Sequence, residues 1–271
     1  LVAVSAVTLT DGIDEQYRFD QTRTRLAVLR QAIVGDAGLA RQGDKQLSGY
    51  VADMGELPEQ VDVLINNDGS MEAYAHRAAI FDPTPDTTDH NDGSADEVTL
   101  DDAAHLLGKG WRGPYVATEP GGAGQIFYRD GWGNIGPTQT GDEQDHGWNL
   151  QISDDTMTIT SMGSDANMTD APDADPYETN VAVQIGSHDW RLSLDGWSVQ
   201  ITNSTSQIVE DLRLALLIYE QGRWRRVTTV AAPASVNPGE TISIAFDTDA
   251  DEYVPVGEHL LVLVEDANGT V

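Results

Sequence analysis

Residues 13–34, IDEQYRFDQTRTRLAVLRQAIV, carry the clearest secondary-structure signal in the chain. Their apolar residues recur at spacings of seven, three and four, which is the period of one face of an α-helix. These residues are Phe19, Leu26, Leu29 and Ile33. Gly35-Asp36 follows as a stop signal. The pattern predicts one helix over residues 13–34, packed through these side chains.

The composition is strongly acidic and free of cysteine. The 271 residues include 15 Lys+Arg against 45 Asp+Glu, a formal net charge of −30. So few cations argue against nucleic acid as a partner, because a phosphate backbone needs a basic surface. The absence of cysteine excludes a disulfide framework and a thiol nucleophile. Because molar salt screens such self-repulsion, the charge is typical of a halophile's protein.

Residues 1–12 form an apolar N-terminal segment. Its apolar side chains are Leu1, Val2, Val4, Val7 and Leu9. An apolar chain end left in water makes an adhesive patch, so we expect these residues to be buried between subunits. We favour a helix that continues into residues 13–34. As a strand, the alternate residues 1, 3, 5, 7 and 9 would form one face and could complete a neighbour's sheet by edge addition.

Beyond residue 111 the hydrophobic period changes to two. Strands are predicted at 126–128, 148–152 and 157–160 in the first part, all in one antiparallel sheet. Seven more follow a loop rich in Asp, Pro and Thr, at 181–185, 190–194, 197–202, 212–219, 224–230, 241–246 and 260–264. Seven short strands at this spacing favour an Ig-like β-sandwich. The expected fold class is α+β, with residues 1–12 as assembly segment, 13–176 as a helix-on-sheet domain and 177–271 as the sandwich.

Sequence motifs for catalysis are weak or missing. Residues 131–136 match GxGxxG, but Pro137 follows where a dinucleotide site needs a helix. The chain contains no GxSxG, HExxH or P-loop pattern. We therefore expect that the protein is not an enzyme, and a hydrolase ranks third among the function classes.

A series of short motifs resembles one protein family. In chain order they are Arg25-x4-Arg30-Gln31-Ala32-Ile33-Val34-Gly35-Asp36, Gly49-Tyr50-Val51-Ala52-Asp53-Met54-Gly55-Glu56-Leu57-Pro58, Trp111-Arg112-Gly113-Pro114-Tyr115, Asp130-Gly131-Trp132-Gly133 and Ile159-Thr160-Ser161-Met162-Gly163-Ser164-Asp165. Over residues 13–176 the chain resembles the type II secretion major pseudopilins and related type IV pilin-like proteins. The resemblance implies a pilin-like helix on a small antiparallel sheet, with Trp111 and Trp132 as apolar anchors.

The resemblance also implies a cofactor and a partner. In calcium-binding major pseudopilins the loop after the S-x-G-x-D element supplies oxygen ligands, so calcium is the candidate cofactor here. Its candidate ligands are Asp165, Asp173 and Asp175, with Asp170 as a further one. The implied partner is a second copy of the chain in a homopolymer. Membrane contact is expected only through an upstream segment that residues 1–271 do not include.

The expected function is that of a structural subunit. The protein would form an extracellular, cell-surface filament in a halophile, polymerising through its N-terminal segment and displaying the sandwich. The alternative is a secreted binding module that recognises a glycan or surface polymer through Trp190, Trp197 or Trp224, although alternation favours burial of at least two of these. Three sequons, at Asn167, Asn203 and Asn268, agree with a glycosylated surface protein.

The acidic composition predicts stabilisation by salt. Between about 0.1 and 2 M NaCl the melting temperature should rise steadily, because screening relieves the self-repulsion of a −30 chain. Thermal melts at fixed pH measure it. A melting temperature that does not change over this range would remove the halophile interpretation.

Overall fold

The computed structural model has an α+β fold, mostly β, with one long N-terminal helix and many antiparallel strands in small sheets. It describes residues 2–35, 48–67, 69–81, 98–100, 106–120, 126–135, 142–167, 177, 180–210, 212–220, 222–231, 235–246 and 253–265. The chain divides into two compact units. The helical unit comprises Leu1–Val51, Leu57–Asp68 and Arg112–Trp190, and the β unit comprises Ala52–Glu56, Gly69–Trp111 and Arg191–Val271.

The long helix α1 spans Val2–Val34, so it begins before the predicted residue 13. Its buried side is the predicted one, since Leu26, Leu29 and Ile33 are at most 3% exposed. Phe19 is partly buried and meets the ring of Tyr177 edge-on at 5.8 Å. The helix ends as predicted at Gly35, whose φ of 79° and N–H bond to the Gln31 carbonyl form a left-handed cap.

The strands of the described residues number seventeen, and every named pair is antiparallel. They are β1 Ala75–Phe81, β2 Val98–Leu100, β3 Leu106–Lys109, β4 Glu119–Pro120, β5 Ile126–Phe127, β6 Asn149–Ser153, β7 Thr156–Thr160, β8 Ala182–Ile185, β9 Arg191–Ser193, β10 Ser198–Thr202, β11 Val209–Glu210, β12 Leu212–Glu220, β13 Arg223–Ala231, β14 Ser235–Val236, β15 Thr241–Ala245, β16 Tyr253–Pro255 and β17 Leu260–Glu265.

The sheet of the helical unit has the order β6-β7-β8, and α1 packs against β8. The β6–β7 hairpin turns at Asp154 and Asp155, both at positive φ, as a two-residue hairpin turn requires. Two predicted pairings were wrong. The strand near 126–128 pairs with β4 in a separate sheet, and the strand at 181–185 joins β7 rather than a C-terminal sandwich.

The β unit is built around β12, whose residues are buried on both faces. Leu214, Leu216 and Ile218 face a cluster that includes Ile242 and Ile244 of β15. The alternate residues of β12 form a second cluster with the following strands: Ala215, Leu217 and Tyr219 with Trp224 and Val262. β12 lies between β13 and β17 in a three-stranded sheet. Because both faces are covered, β12 has a nearly continuous apolar sequence instead of an alternating one.

The unit boundaries differ from the predicted cut at 176/177. Residues 69–111 lie in the middle of the predicted 13–176 domain but group with the C-terminal strands. The strands of the β unit form two- and three-stranded sheets, and their assembly into an Ig-like sandwich stays a prediction. Burial of two of the three C-terminal tryptophans was correctly predicted. Trp190 and Trp224 are each 3% exposed, whereas Trp197 is 51% exposed.

Leu29 provides a direct test of the helix packing. Leu29→Asp should lower the free energy of unfolding by about 4 kcal/mol or more, because it buries a charge at a fully covered position. Ala27→Asp is the matched control, since it adds the same charge on an exposed side of α1. Denaturant titration measures both. Equal effects of the two substitutions would contradict the packing described here.

Candidate functional site

The carboxylate of Asp130 is the centre of a buried hydrogen-bond network in the helical unit. Asp130 is 2% exposed. Its Oδ1 accepts from the backbone N–H groups of Trp132 and Asn134, each at 3.1 Å. Its Oδ2 accepts from the Asn134 amide at 2.7 Å and from the Ser161 hydroxyl at 2.6 Å. Four donors satisfy one buried carboxylate, so this network fixes the turn at 130–134 against residue 161.

The same turn is tied to α1 by backbone contacts. The N–H of Gly131 donates to the Thr22 hydroxyl at 2.9 Å, and that hydroxyl donates to the Arg18 carbonyl at 2.9 Å. A Cβ at position 131 would overlap the Arg18 carbonyl oxygen, so the close approach requires glycine. Arg25 donates to the carbonyl oxygens of Arg129, at 2.5 Å, and Asp130, at 3.3 Å. The D-G-W-G motif therefore attaches α1 to the turn at residues 130–134.

The S-x-G-x-D motif lies directly against this turn. The Asn134 amide also donates to the Gly163 carbonyl at 2.9 Å, and Gly163 has a φ of 69°. The exposed Asp165 accepts the N–H of Asn167 at 3.1 Å. Two of the motifs that carry the family resemblance thus form one junction, although about 30 residues separate them in the chain.

The W-x-G-P-Y motif is split between the units. Trp111 belongs to the β unit, where its N–H donates to the Glu72 carbonyl at 2.7 Å. Tyr115 belongs to the helical unit, where its N–H donates to the Leu64 carbonyl and its ring meets Tyr50 edge-on at 5.7 Å. The Gly113–Pro114 peptide bond is cis.

The predicted aromatic anchors are less buried than Trp148, Trp190 and Trp224. Trp111 and Trp132 are each only partly buried. Trp148, which sequence analysis placed in a strand without further role, is fully buried, and its indole donates to the Tyr128 carbonyl at 2.6 Å. Trp148 follows Asp145-His146-Gly147, and nothing in this sequence predicted that it would be more buried than the other tryptophans.

Only one of the candidate calcium ligands, Asp165, lies within the described residues. Asp170, Asp173 and Asp175 fall outside them. In the part of the chain that the structure describes, no group of three or more His, Asp or Glu side chains could hold a metal ion.

The predicted assembly segment is helical where the structure describes it. Val2, Val4, Val7 and Leu9 lie in α1, and Leu1 falls outside the described residues. The alternative strand conformation for this segment was therefore wrong. From residue 12 to residue 18 every side chain is exposed, and Ile13 and Tyr17 are each 64% exposed. Residues 12–18 of α1 thus include apolar side chains that the unit itself does not cover.

The sequon at Asn203 does not present its side chain to solvent. Asn203 is 6% exposed, and its amide nitrogen donates to the carbonyl oxygens of Gln207 and Val236 at 2.8 and 2.9 Å. Its Oδ1 accepts from Thr205. A glycan on this nitrogen would displace both bonds, which argues against glycosylation of the folded chain at Asn203. Asn167 is partly buried, and Asn268 lies outside the described residues.

Sequence analysis missed a buried cationic group in the β unit. Lys109 is 1% exposed, and its ammonium donates to the Ala52 carbonyl at 3.0 Å. Burial lowers its pKa to about 8, while the carboxylates of Glu258 and Asp53 act in the opposite direction. A lysine in so acidic a chain gave no signal of burial, because long charged side chains are rarely fully covered.

His259 lies near Lys109 and is held neutral at pH 7. Burial lowers the pKa of His259 to about 4. The hydrogen bond to the Pro255 carbonyl raises this pKa, and the charge of Lys109 lowers it further. Nε2 lies 2.7 Å from that carbonyl, so it carries the proton of the neutral ring. Nδ1 is buried without a hydrogen-bond partner. A second proton on Nδ1 would therefore be a charge without solvation.

Comparisons with protein-family models, curated proteins and solved structures gave no match for this chain. Among the described residues, no helix is long and apolar enough to cross a bilayer. The network around Asp130 joins two of the motifs within the helical unit. Its hydrogen bonds hold these segments together, which is a structural role.

Removal of the Asp130 carboxylate should destabilise the helical unit. Asp130→Ala leaves the buried donors of Asn134 and Ser161 without an acceptor, so the free energy of unfolding should fall by about 3 kcal/mol or more. Asp165→Ala is the control, since that carboxylate is exposed and should contribute less than about 1 kcal/mol. Chemical denaturation measures both variants. A smaller effect at Asp130 than at Asp165 would refute the assignment.

The pKa of His259 predicts a pH dependence of stability. Its folded pKa of about 4 is below the unfolded value of 6.5, so the unfolded chain binds more protons and stability is lost as the pH falls from about 6.5 to 4. His259→Gln retains a donor but does not titrate. Relative to this variant, wild type should lose about 2–3 kcal/mol between pH 7 and pH 4. Parallel pH curves for both proteins would disprove it.

Proposed function

We propose that the protein is a structural subunit of an extracellular pilin-like filament from a halophile. In this proposal the subunit polymerises through its N-terminal helix and displays the β unit outward. The primary support is the exposed N-terminal part of α1, and the second support is the junction between the motifs that carry the family resemblance.

The exposed part of α1 carries the proposal. The 33-residue helix corresponds to a length of about 50 Å at 1.5 Å per residue. Over residues 12–34, where the structure describes burial, its packing within the helical unit begins near Phe19, whereas Ile13 and Tyr17 are each 64% exposed. Exposed apolar side chains on a helix are typical of a surface that a partner covers. A filament of identical subunits supplies that partner.

The motif junction supports the same proposal from the fold. A pilin-like subunit needs a long helix anchored to a small antiparallel sheet. Here α1 is anchored by Thr22 and Arg25 to the turn that contains Asp130, and it packs on β8 of the β6-β7-β8 sheet. Arg25 and the turn residues Asp130 and Gly131 belong to the motifs on which the resemblance rests.

The alternative function, a secreted binding module, is favoured by one observation. Trp197 follows the turn Asp195-Gly196 in the β unit and is 51% exposed. An exposed indole near the carboxylate of Asp195 suits stacking on the apolar face of a sugar ring. In this case a surface of the β unit, and not the N-terminal helix, would bind the ligand.

Deletion of residues 1–10 separates the two functions. Because the buried residues of α1 that the structure describes lie from residue 19 onward, we expect the deletion variant to stay folded and monomeric, with its melting temperature within a few degrees of wild type. The full chain should form regular filaments in molar salt, visible by electron microscopy. A full chain that stays monomeric at high concentration, or a deletion variant that still polymerises, would sink the filament proposal. A Trp197→Ala variant that loses polysaccharide binding would then establish the alternative.

A further inference from the structure

The strand β17 lies at one edge of the central sheet of the β unit. This sheet has the order β13-β12-β17, so β12 pairs with one side of β17. Among the described residues, no strand pairs with the other side. Alternate residues of an antiparallel strand turn their N–H and C=O groups away from the neighbouring strand. The open side of β17 therefore presents a row of backbone donors and acceptors to which a further strand can bind.

Two half-exposed leucines accompany this open side. Leu261 and Leu263 are 46% and 48% exposed. Leu261 lies opposite the buried Leu216 of β12. Leu263 lies opposite the buried Leu214 in the same way. Because residues directly opposite in a ladder share a face of the sheet, the two exposed leucines extend the apolar cluster of β12 to the edge of the sheet.

The strand lacks the features that usually protect an edge. β17 has the sequence LLVLVE, so residues 260–264 carry no charge and include no proline. Its pairing with β12 runs without a bulge from residue 260 to residue 265. Natural edge strands are typically interrupted by charges, by proline or by a bulge, which prevent pairing with another chain. An apolar edge without them is a surface to which a further strand can be added.

We propose that β17 pairs in an antiparallel direction with β17 of a second copy of this chain. Charge selects this partner. Two copies with a net charge of −30 repel each other wherever their carboxylates face, so they approach most closely at an uncharged strand. The proposal goes beyond the filament function, because it concerns the β unit and does not involve α1.

The positions of the two leucines select one register. With Val262 on a twofold axis normal to the sheet, Leu261 of each copy lies opposite Leu263 of the other. Directly opposite Cβ atoms are about 4.5–5.5 Å apart, so all four exposed leucines would cover one another. An axis at residue 261 would place Leu263 opposite His259 of the second copy. An axis at residue 263 would place Leu261 opposite Glu265, so only the register centred on Val262 pairs every leucine with a leucine.

This symmetry has a consequence for assembly. Both copies use the same strand, so the contact is isologous and closes after two subunits. The two sheets would join into one six-stranded sheet with the order β13-β12-β17-β17-β12-β13. Such a contact cannot build a filament, but it would link in pairs the subunits of a filament that polymerises through α1.

Disulfide trapping in the full chain tests the register. The chain has no cysteine, so a variant with one cysteine can form disulfides only between copies. Leu261→Cys and Leu263→Cys chains, one of them carrying an affinity tag, are mixed in equal amounts in 2 M NaCl and oxidised. The mixed dimer should exceed the sum of the two like dimers by about five to one, because only the mixed pair lies directly opposite. Random collision would give equal amounts of mixed and like dimers.

A charge at the edge tests the strand contact itself. Leu263→Lys, added to the Leu261→Cys chain, places an ammonium opposite Leu261 of the other copy and should lower the mixed dimer about fivefold. Leu192→Lys in the same chain is the matched control and should leave the yield within about twofold. Leu192 is a 41% exposed leucine in β9 of the same unit. Thermal melts check that both variants are folded.

Three results would overturn the proposal. They are equal amounts of mixed and like dimers, an excess of either like dimer, and equal effects of the two lysine substitutions. The first would show that the copies meet without a register. The second would place the axis away from Val262, and the third would mean that added charge, and not its position on β17, prevents the contact.

Electron microscopy of the same mixtures separates this proposal from the filament function. Filaments with equal amounts of mixed and like dimers would overturn the β17 pairing and leave the filament function standing. An excess of the mixed dimer without filaments would support the pairing and count against the filament. Equal amounts of the dimers without filaments would contradict both.

Discussion

The helical unit depends most on the hydrogen bonds to the buried carboxylate of Asp130. It joins the turn at 130–134 to Ser161, while the backbone of the same turn bonds to Thr22 and Arg25 of α1. Three stretches that are distant in the chain thus meet at one group. A carboxylate suits this place because it accepts several hydrogen bonds at once, and each is strengthened by the charge. The apolar face of α1 is also buried in the unit, but this network sets where along the helix the turn attaches.

The sequence was informative where structure depends on neighbouring residues. The spacing of Leu26, Leu29 and Ile33 identified the buried face of α1, and Gly35 marked its end. Period-two patterns located most strands of the C-terminal part. Pairing was predicted less well, because a strand's pattern does not specify its partner. Thus β5 pairs with β4 and β8 joins β7, and residues 69–111 group with strands that follow residue 190.

The candidate site shows the same division between local and long-range information. The D-G-W-G and S-x-G-x-D motifs were recognised, but their mutual hydrogen bonds require the folded structure. Burial of a polar side chain was not predictable either. Asn203 begins a sequon, which predicts an exposed side chain, but its amide is buried in the structure. Lysine is usually a surface residue, but Lys109 is buried. Both are tolerated because backbone carbonyls supply their hydrogen-bond partners.

The interleaved order of the two units also affects how the chain is made. The ribosome synthesises 69–111, with strands β1 and β3, before the whole of 112–190, which belongs to the helical unit. At about 5–20 residues per second, these strands wait roughly 4–16 s before the first residues of their remaining unit emerge. Strand β12 then waits for β17. The nascent chain therefore exposes these β-strands for seconds before the strands that complete the β unit have been made.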